Sequence, residues 1–110
     1  MSGQDAHESR GARTMQADAD IVLNTAADQS QEASWLPPPL RDCDLELDAG
    51  ERTLRWIRGD DQQGCLTAHP RGAGTCEIEM ITHRDLAGVN SLHVALRALE
   101  ITVAEKLTAG

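Results

Sequence analysis

The hydrophobic period of this sequence changes near residue 87, and that change limits the fold more than any other feature. Between residues 42 and 81 apolar and polar side chains alternate, which is typical of strands with one buried face. From residue 92 onward the apolar residues recur every three or four positions, on one side of a helix that begins near Ser91: Leu92, Ala95, Leu96, Leu99, Val103 and Leu107. The sequence therefore predicts an α+β domain in which a single C-terminal helix covers one face of an antiparallel sheet.

Two hairpins account for the alternating region and predict a four-stranded antiparallel sheet. In the first hairpin, a two-residue turn at 49–50 places Leu45 opposite Leu54. In the second, Leu66 lies opposite Ile78. Each hairpin then has one apolar and one polar face, whereas the order of the two hairpins in the sheet is left open.

The helical segment also resembles part of a bacterial family. Residues 87–101 read AGVNSLHVALRALEI, which is similar to the C-terminal helix of small bacterial proteins grouped as a domain of unknown function. In that family a sheet leads into a helix that opens Gly-Val-Asp-Ser-Leu, and this chain departs from the pattern at Asn90, His93 and Val94. The resemblance covers about residues 42–107 and implies the same α+β architecture, without an activity.

The first 34 residues contain few large apolar side chains: Met1, Met15, Ile21, Val22 and Leu23. Ordering the backbone costs ~1–2 kcal/mol per residue, which so few buried groups do not offset. We therefore expect residues 1–34 to form a disordered acidic tail and residues 35–110 to form the domain. Three consecutive prolines after Leu36 predict a stiff entry to the domain, with Trp35 or Leu36 packed against it.

The net charge and the hydropathy of the chain limit the classes of partner that it is expected to bind. The sequence has 18 acidic and 10 basic residues, a net charge of -8, so nucleic acid is not an expected partner and a basic protein is. No apolar run is long enough for a membrane span or a secretory signal, so we expect no membrane association and a cytoplasmic location. The three cysteines are then reduced thiols.

Cysteine and histidine side chains are the candidates for a metal-binding or catalytic role. The possible ligands are Cys43, Cys65, Cys76, His69, His83 and His93, but no Cys-x2-4-Cys pair is present, and we expect neither a metal ion nor a cofactor. The alternative is a small enzyme or metal-binding protein that uses Cys65, His69 or His83. Cys65 and His69 are four residues apart on a strand, about 13 Å, and the predicted neighbour Glu79 would raise the pKa of the thiol.

A protein interface is the preferred function, and two apolar surfaces could form it. Val94 and Ile101 lie on the helix nearly opposite the core stripe, and Arg97 lies on the flank that separates them from it. Ile57 and Ile81 lie among acids on the outer sheet face. Such a surface fits a second copy or a basic protein. We therefore predict a non-catalytic protein-interaction module, in one form an inhibitor or immunity-type protein for a basic partner.

Overall fold

A five-stranded antiparallel sheet with helices against one face forms the fold. This computed structural model describes residues 8–83 and 86–109. Short 3-10 turns occupy Gln29–Gln31 and Pro38–Leu40. The main elements, in chain order, are β1 (Glu8–Met15), α1 (Ala19–Ala27), α2 (Glu32–Trp35), β2 (Asp44–Asp48), β3 (Thr53–Arg58), β4 (Asp61–Pro70), β5 (Cys76–His83) and α3 (Val89–Ala109).

The strand order confirms the predicted fold class and corrects the strand count. The order is β1-β5-β4-β3-β2, so β2 to β5 form a continuous meander and the two predicted hairpins are neighbours through β3 and β4. β1 adds a fifth strand beside β5. The prediction of four strands is wrong because it assigned the residues of β1 to a tail.

Residues 8–34 are ordered, so the predicted disordered tail and the domain start at residue 35 are wrong over that range. The large apolar residues of this segment are few, but Met15, Val22 and Leu23 are each at least nine-tenths buried. Small residues add to them, since Ala19 and Ala26 are also buried. Backbone pairing along β1 supplies further stabilisation that a count of large side chains omits. Residues 1–7 lie outside the described part of the chain.

Both hairpins have a register two residues away from the predicted one. Leu45 lies opposite Trp56, and Leu66 lies opposite Met80. The first hairpin turns over four residues instead of two, with Arg52 in the left-handed region at φ 49°. Because side chains alternate with a period of two, an even shift leaves every residue on its predicted face.

The core lies between the inner sheet face and the helices. The apolar stripe of α3 is buried as predicted from Leu92 to Val103, whereas Leu107 is half-exposed near the helix end. The helix begins at Val89, ahead of the predicted cap. It packs closely on β1, because a Cβ added to Gly11 would lie 3.1 Å from the Cβ of Leu92. The largest fully buried side chains of the sheet are Met15, Leu54, Trp56, Leu66, Ile78 and Met80.

Among residues 8–83 and 86–109, no helix is both long enough and apolar enough to cross a membrane.

Candidate functional site

An apolar groove of about 600 Å³ lies between residues 34–41 and α3. One wall is the segment from Trp35 to Pro39, and the other is the face of α3 that carries Val94 and Ala98. Asn90 and Ser91 add polar groups to the helix side. The groove is therefore an apolar trough with a few hydrogen-bonding groups.

The first wall is held in place by the sequence that follows α2. Leu36 and Leu40 are fully buried and anchor the segment at both ends. Between them the prolines leave few backbone donors, and the N–H of Leu40 donates to the carbonyl of Pro37 at 3.0 Å in a 3-10 turn. The wall is thus stiff and presents proline rings to the groove.

The second wall owes its shape to small residues on α3. Ala95 is buried and Ala98 is half-buried, and their short side chains leave the space that a larger residue would fill. Val94 stands at the rim and is 70% exposed. The groove therefore contains the exposed valine that the helical pattern placed opposite the core.

The charged groups near the groove are partly engaged with the protein itself. The Nε of Arg41 donates to the carbonyl of Leu36 at 2.8 Å. Partial burial raises the pKa of Glu32, and the charge of Arg41 opposes that shift. The polar groups of the lining are the hydroxyls of Ser34 and Ser91, the amide of Asn90 and the guanidinium of Arg41, and no Cys, His, Asp or Glu is among its described residues.

Two tryptophans connect the groove to the core. The rings of Trp35 and Trp56 meet edge to face, with centroids 5.9 Å apart and planes at 64°. Trp35 lines the groove, whereas Trp56 is fully buried on β3. They are the only tryptophans of the chain, which makes their fluorescence a reporter of this region.

The three candidates for a catalytic or metal-binding role, Cys65, His69 and His83, lie on the outer sheet face and do not form a common site. Cys65 is opposite Ile81, and His69 is opposite Glu77 on the same strand pair. The ring Nε2 of His83 is 3.1 Å from the carbonyl oxygen of Gln62. Within residues 8–83 and 86–109, no three His, Cys, Asp or Glu side chains are grouped so that they could hold a metal ion.

The environment of Cys65 differs from the predicted one. Its cross-strand partner is Ile81 because of the register shift, and Glu79 lies opposite Thr67. Burial is the main cause that raises the pKa of the Cys65 thiol, with Arg55 opposing it and Glu79 adding to it. The sequence predicted that the pKa of this thiol is raised, and it is, but the main cause is burial of the sulfur and not the charge of Glu79.

Iodoacetamide is expected to alkylate only Cys65 in the native protein, and slowly at pH 8. The thiolate is the reactive form, and a raised pKa lowers its fraction at every pH below that pKa. Cys43 and Cys76 are buried. Mass spectrometry should show one slow adduct in buffer and three in guanidinium, and Cys65→Ser should remove the native adduct. Rapid labelling of two thiols in buffer would contradict this assignment.

The predicted interface residues divide between two surfaces. Val94 lies in the groove, whereas Arg97 and Ile101 are exposed on α3 and do not line it. Ile57 and Ile81 are half-buried in the sheet. The sequence analysis did not predict the groove. Its walls are formed by the three prolines that follow Trp35 and by two alanines of α3, and these residues are the sequence features that could have indicated it.

Comparisons with known proteins show the fold. No protein-family model matches the chain, and no curated protein matches it. A START superfamily protein from Mycobacterium smegmatis has a TM-score of 0.70 at 14% identity, covering 91% of this chain and 99% of that one. A Thermus thermophilus protein has a TM-score of 0.64 at 18% identity, covering 90% and 98%.

The third similar structure is an enzyme with ligands. Norcoclaurine synthase from Thalictrum flavum, in complex with dopamine and hydroxybenzaldehyde, has a TM-score of 0.59 at 13% identity. The match covers 89% of this chain and 86% of the synthase. At these identities the likeness concerns the arrangement of strands and helices. The chain thus shares the fold of a START superfamily protein.

Proposed function

We propose that the protein is a binding module that holds an apolar small molecule in the groove between residues 34–41 and α3. The observation that carries this proposal is the groove itself, whose volume of about 600 Å³ is within the ~300–1,000 Å³ of small-molecule sites. Its lining is mainly apolar, with Ser34, Arg41, Asn90 and Ser91 available to orient one polar group. The ligand is therefore an apolar body with a small hydrogen-bonding end.

The fold supports this proposal. Norcoclaurine synthase, which shares the fold, is bound to dopamine and hydroxybenzaldehyde, two small aromatic molecules. In this chain the described groove residues offer contact surface without an acid, a base or a thiol. These observations support a binding module, and we propose no reaction for the groove.

A protein-interaction module is the second candidate. The net charge of -8 favours a basic partner, and Ile101 is 51% exposed on α3 outside the groove. The narrower forms, an inhibitor or an immunity-type protein, stay predictions. The alternative with Cys65, His69 and His83 has less support, because these side chains lie on strands without a common site.

The groove is tested with N-phenyl-1-naphthylamine, a neutral fluorescent apolar probe, by energy transfer from tryptophan. We expect saturable binding by the native protein and an affinity about tenfold lower in Val94→Asp, a loss of ~1.4 kcal/mol. Val94 is at the rim, so the new carboxylate places charge against the apolar probe.

Ile101→Asp is the matched control, because it makes the same change at an exposed aliphatic residue of the same helix. It should bind the probe as the native protein does, and both variants should keep the native melting temperature. Equal binding by Val94→Asp and native protein would contradict the groove as the site. Equal weakening in both variants would place the probe on the back of the helix instead.

A further inference from the structure

We propose that the free edge of β2 receives an extended basic segment of another protein as a sixth strand of the sheet. β2 is the last strand in the sheet order, and within residues 8–83 and 86–109 no strand pairs with its other edge. Backbone N–H and C=O groups along such an edge are available to a peptide. This surface is separate from the groove and does not depend on the function proposed for it.

The edge of β2 has a regular geometry. The β2–β3 pairing continues without a shift from Asp44 to Asp48, whereas the β3–β4 pairing has an irregularity between Trp56 and Ile57. β2 contains neither proline nor lysine, and its short length and three carboxylates oppose pairing with an acidic strand but not with a basic one. A strand of five residues can thus accept a segment of similar length.

The two faces of β2 define the side chains of the partner. Glu46 is opposite Arg55 on the outer face, and Asp44 and Asp48 share that face because side chains alternate along a strand. Leu45 and Leu47 lie on the inner face, and Leu47 is 45% exposed. A segment that alternates basic and apolar residues places cations beside the carboxylates and extends the apolar inner face over Leu47.

The outer-face carboxylates of β2 have too few cations of their own. Arg55 reaches both Glu46 at 3.4 Å and Asp48 at 3.8 Å. Asp44 has no ion-pair partner among the described residues. One guanidinium therefore serves two of three carboxylates, and a basic strand would complete the pairing.

Charge also separates this partner from a second copy of the chain. Two β2 edges placed side by side would bring acids opposite acids, which is unfavourable. The opposite sheet edge does not supply free cations either, because Arg10 pairs with Glu79 and Arg13 with Glu100. With a net charge of -8, the chain attracts a basic segment from a different protein.

The test uses a short labelled peptide in which lysine and valine alternate, titrated into the full chain by fluorescence anisotropy. We expect binding that weakens about tenfold in Asp44→Lys, which removes an unpaired carboxylate without breaking an ion pair, a change of ~1.4 kcal/mol. Asp60→Lys changes the net charge equally in the exposed β3–β4 turn and should bind as the native protein does. Amide exchange should also slow along β2 when the peptide is bound.

A second peptide separates strand pairing from charge attraction alone. N-methylation of alternate residues keeps the charge but removes the backbone donors of one edge, and we expect it to abolish binding. Equal binding of both peptides would overturn strand addition, and equal binding by Asp44→Lys and native protein would overturn the site. A dimer of the native chain in sedimentation whose formation slows amide exchange along β2 would make a second copy the occupant and would also overturn the proposal.

Discussion

A chain that begins at Ser34 is expected to lose cooperative thermal unfolding. The deletion removes β1 and α1, and with them the buried side chains of Met15, Val22 and Leu23. Each such side chain contributes ~1.5–3 kcal/mol through burial, and a domain has only ~5–15 kcal/mol of net stability. Circular dichroism should show a broad, non-sigmoidal melt. A sigmoidal melt near the native temperature would mean that residues 8–33 are dispensable.

Single substitutions in β1 test the same conclusion without a deletion. Gly11→Leu is expected to destabilise the fold by ~1–3 kcal/mol, because even its Cβ would lie 3.1 Å from the Cβ of Leu92. Ala12→Leu is the matched control, since Ala12 is exposed and surface substitutions usually change stability by within about 0.5 kcal/mol. Equal melting temperatures for the two variants would mean that α3 does not pack on β1.

Leu96→Ala is expected to lower the free energy of unfolding by ~2–5 kcal/mol. Leu96 is fully buried in the stripe that α3 turns toward the sheet, so the shorter side chain leaves a cavity. At ~4–8 °C per kcal/mol for a small domain, the melting temperature should decrease by at least ~8 °C. Arg97→Ala, at the next and exposed position, should remain within about 0.5 kcal/mol of the native protein. A native melting temperature for Leu96→Ala would contradict the assignment of the helix face.

The hydrophobic periodicity of the sequence predicted which side of each element is buried, because the pattern of apolar residues reflects burial directly. Leu66 and Cys76 are buried on the inner face, and Val94 is exposed on α3, as their positions in the pattern require. Register was not predictable in this way, since a shift of two residues leaves the pattern of faces unchanged. The turn sets the register of the first hairpin. The sequence did not indicate this turn, because the left-handed conformation of Arg52 is uncommon for a residue other than glycine.

The N-terminal strand and the groove were missed because both depend on residues far apart in the sequence. β1 has alternate buried positions at Ser9 and Gly11, but neither residue is apolar enough to show as a hydrophobic strand. Its partner strand β5 begins at Cys76. The groove likewise needs residues 34–41 to approach α3, and composition carries no information on that approach.

The position of β1 at the far edge of the sheet has a consequence for the order of folding. Met15 pairs with Cys76 and Glu8 with His83, so this pairing closes the longest loop of the sheet. Strands β2 to β5 pair with their neighbours in sequence and close short loops, at a lower entropic cost. During synthesis, β1 leaves the ribosome before β2 to β5, and it can pair only after β5 has followed. The segment that completes the sheet is thus the one that stays exposed longest in the nascent chain.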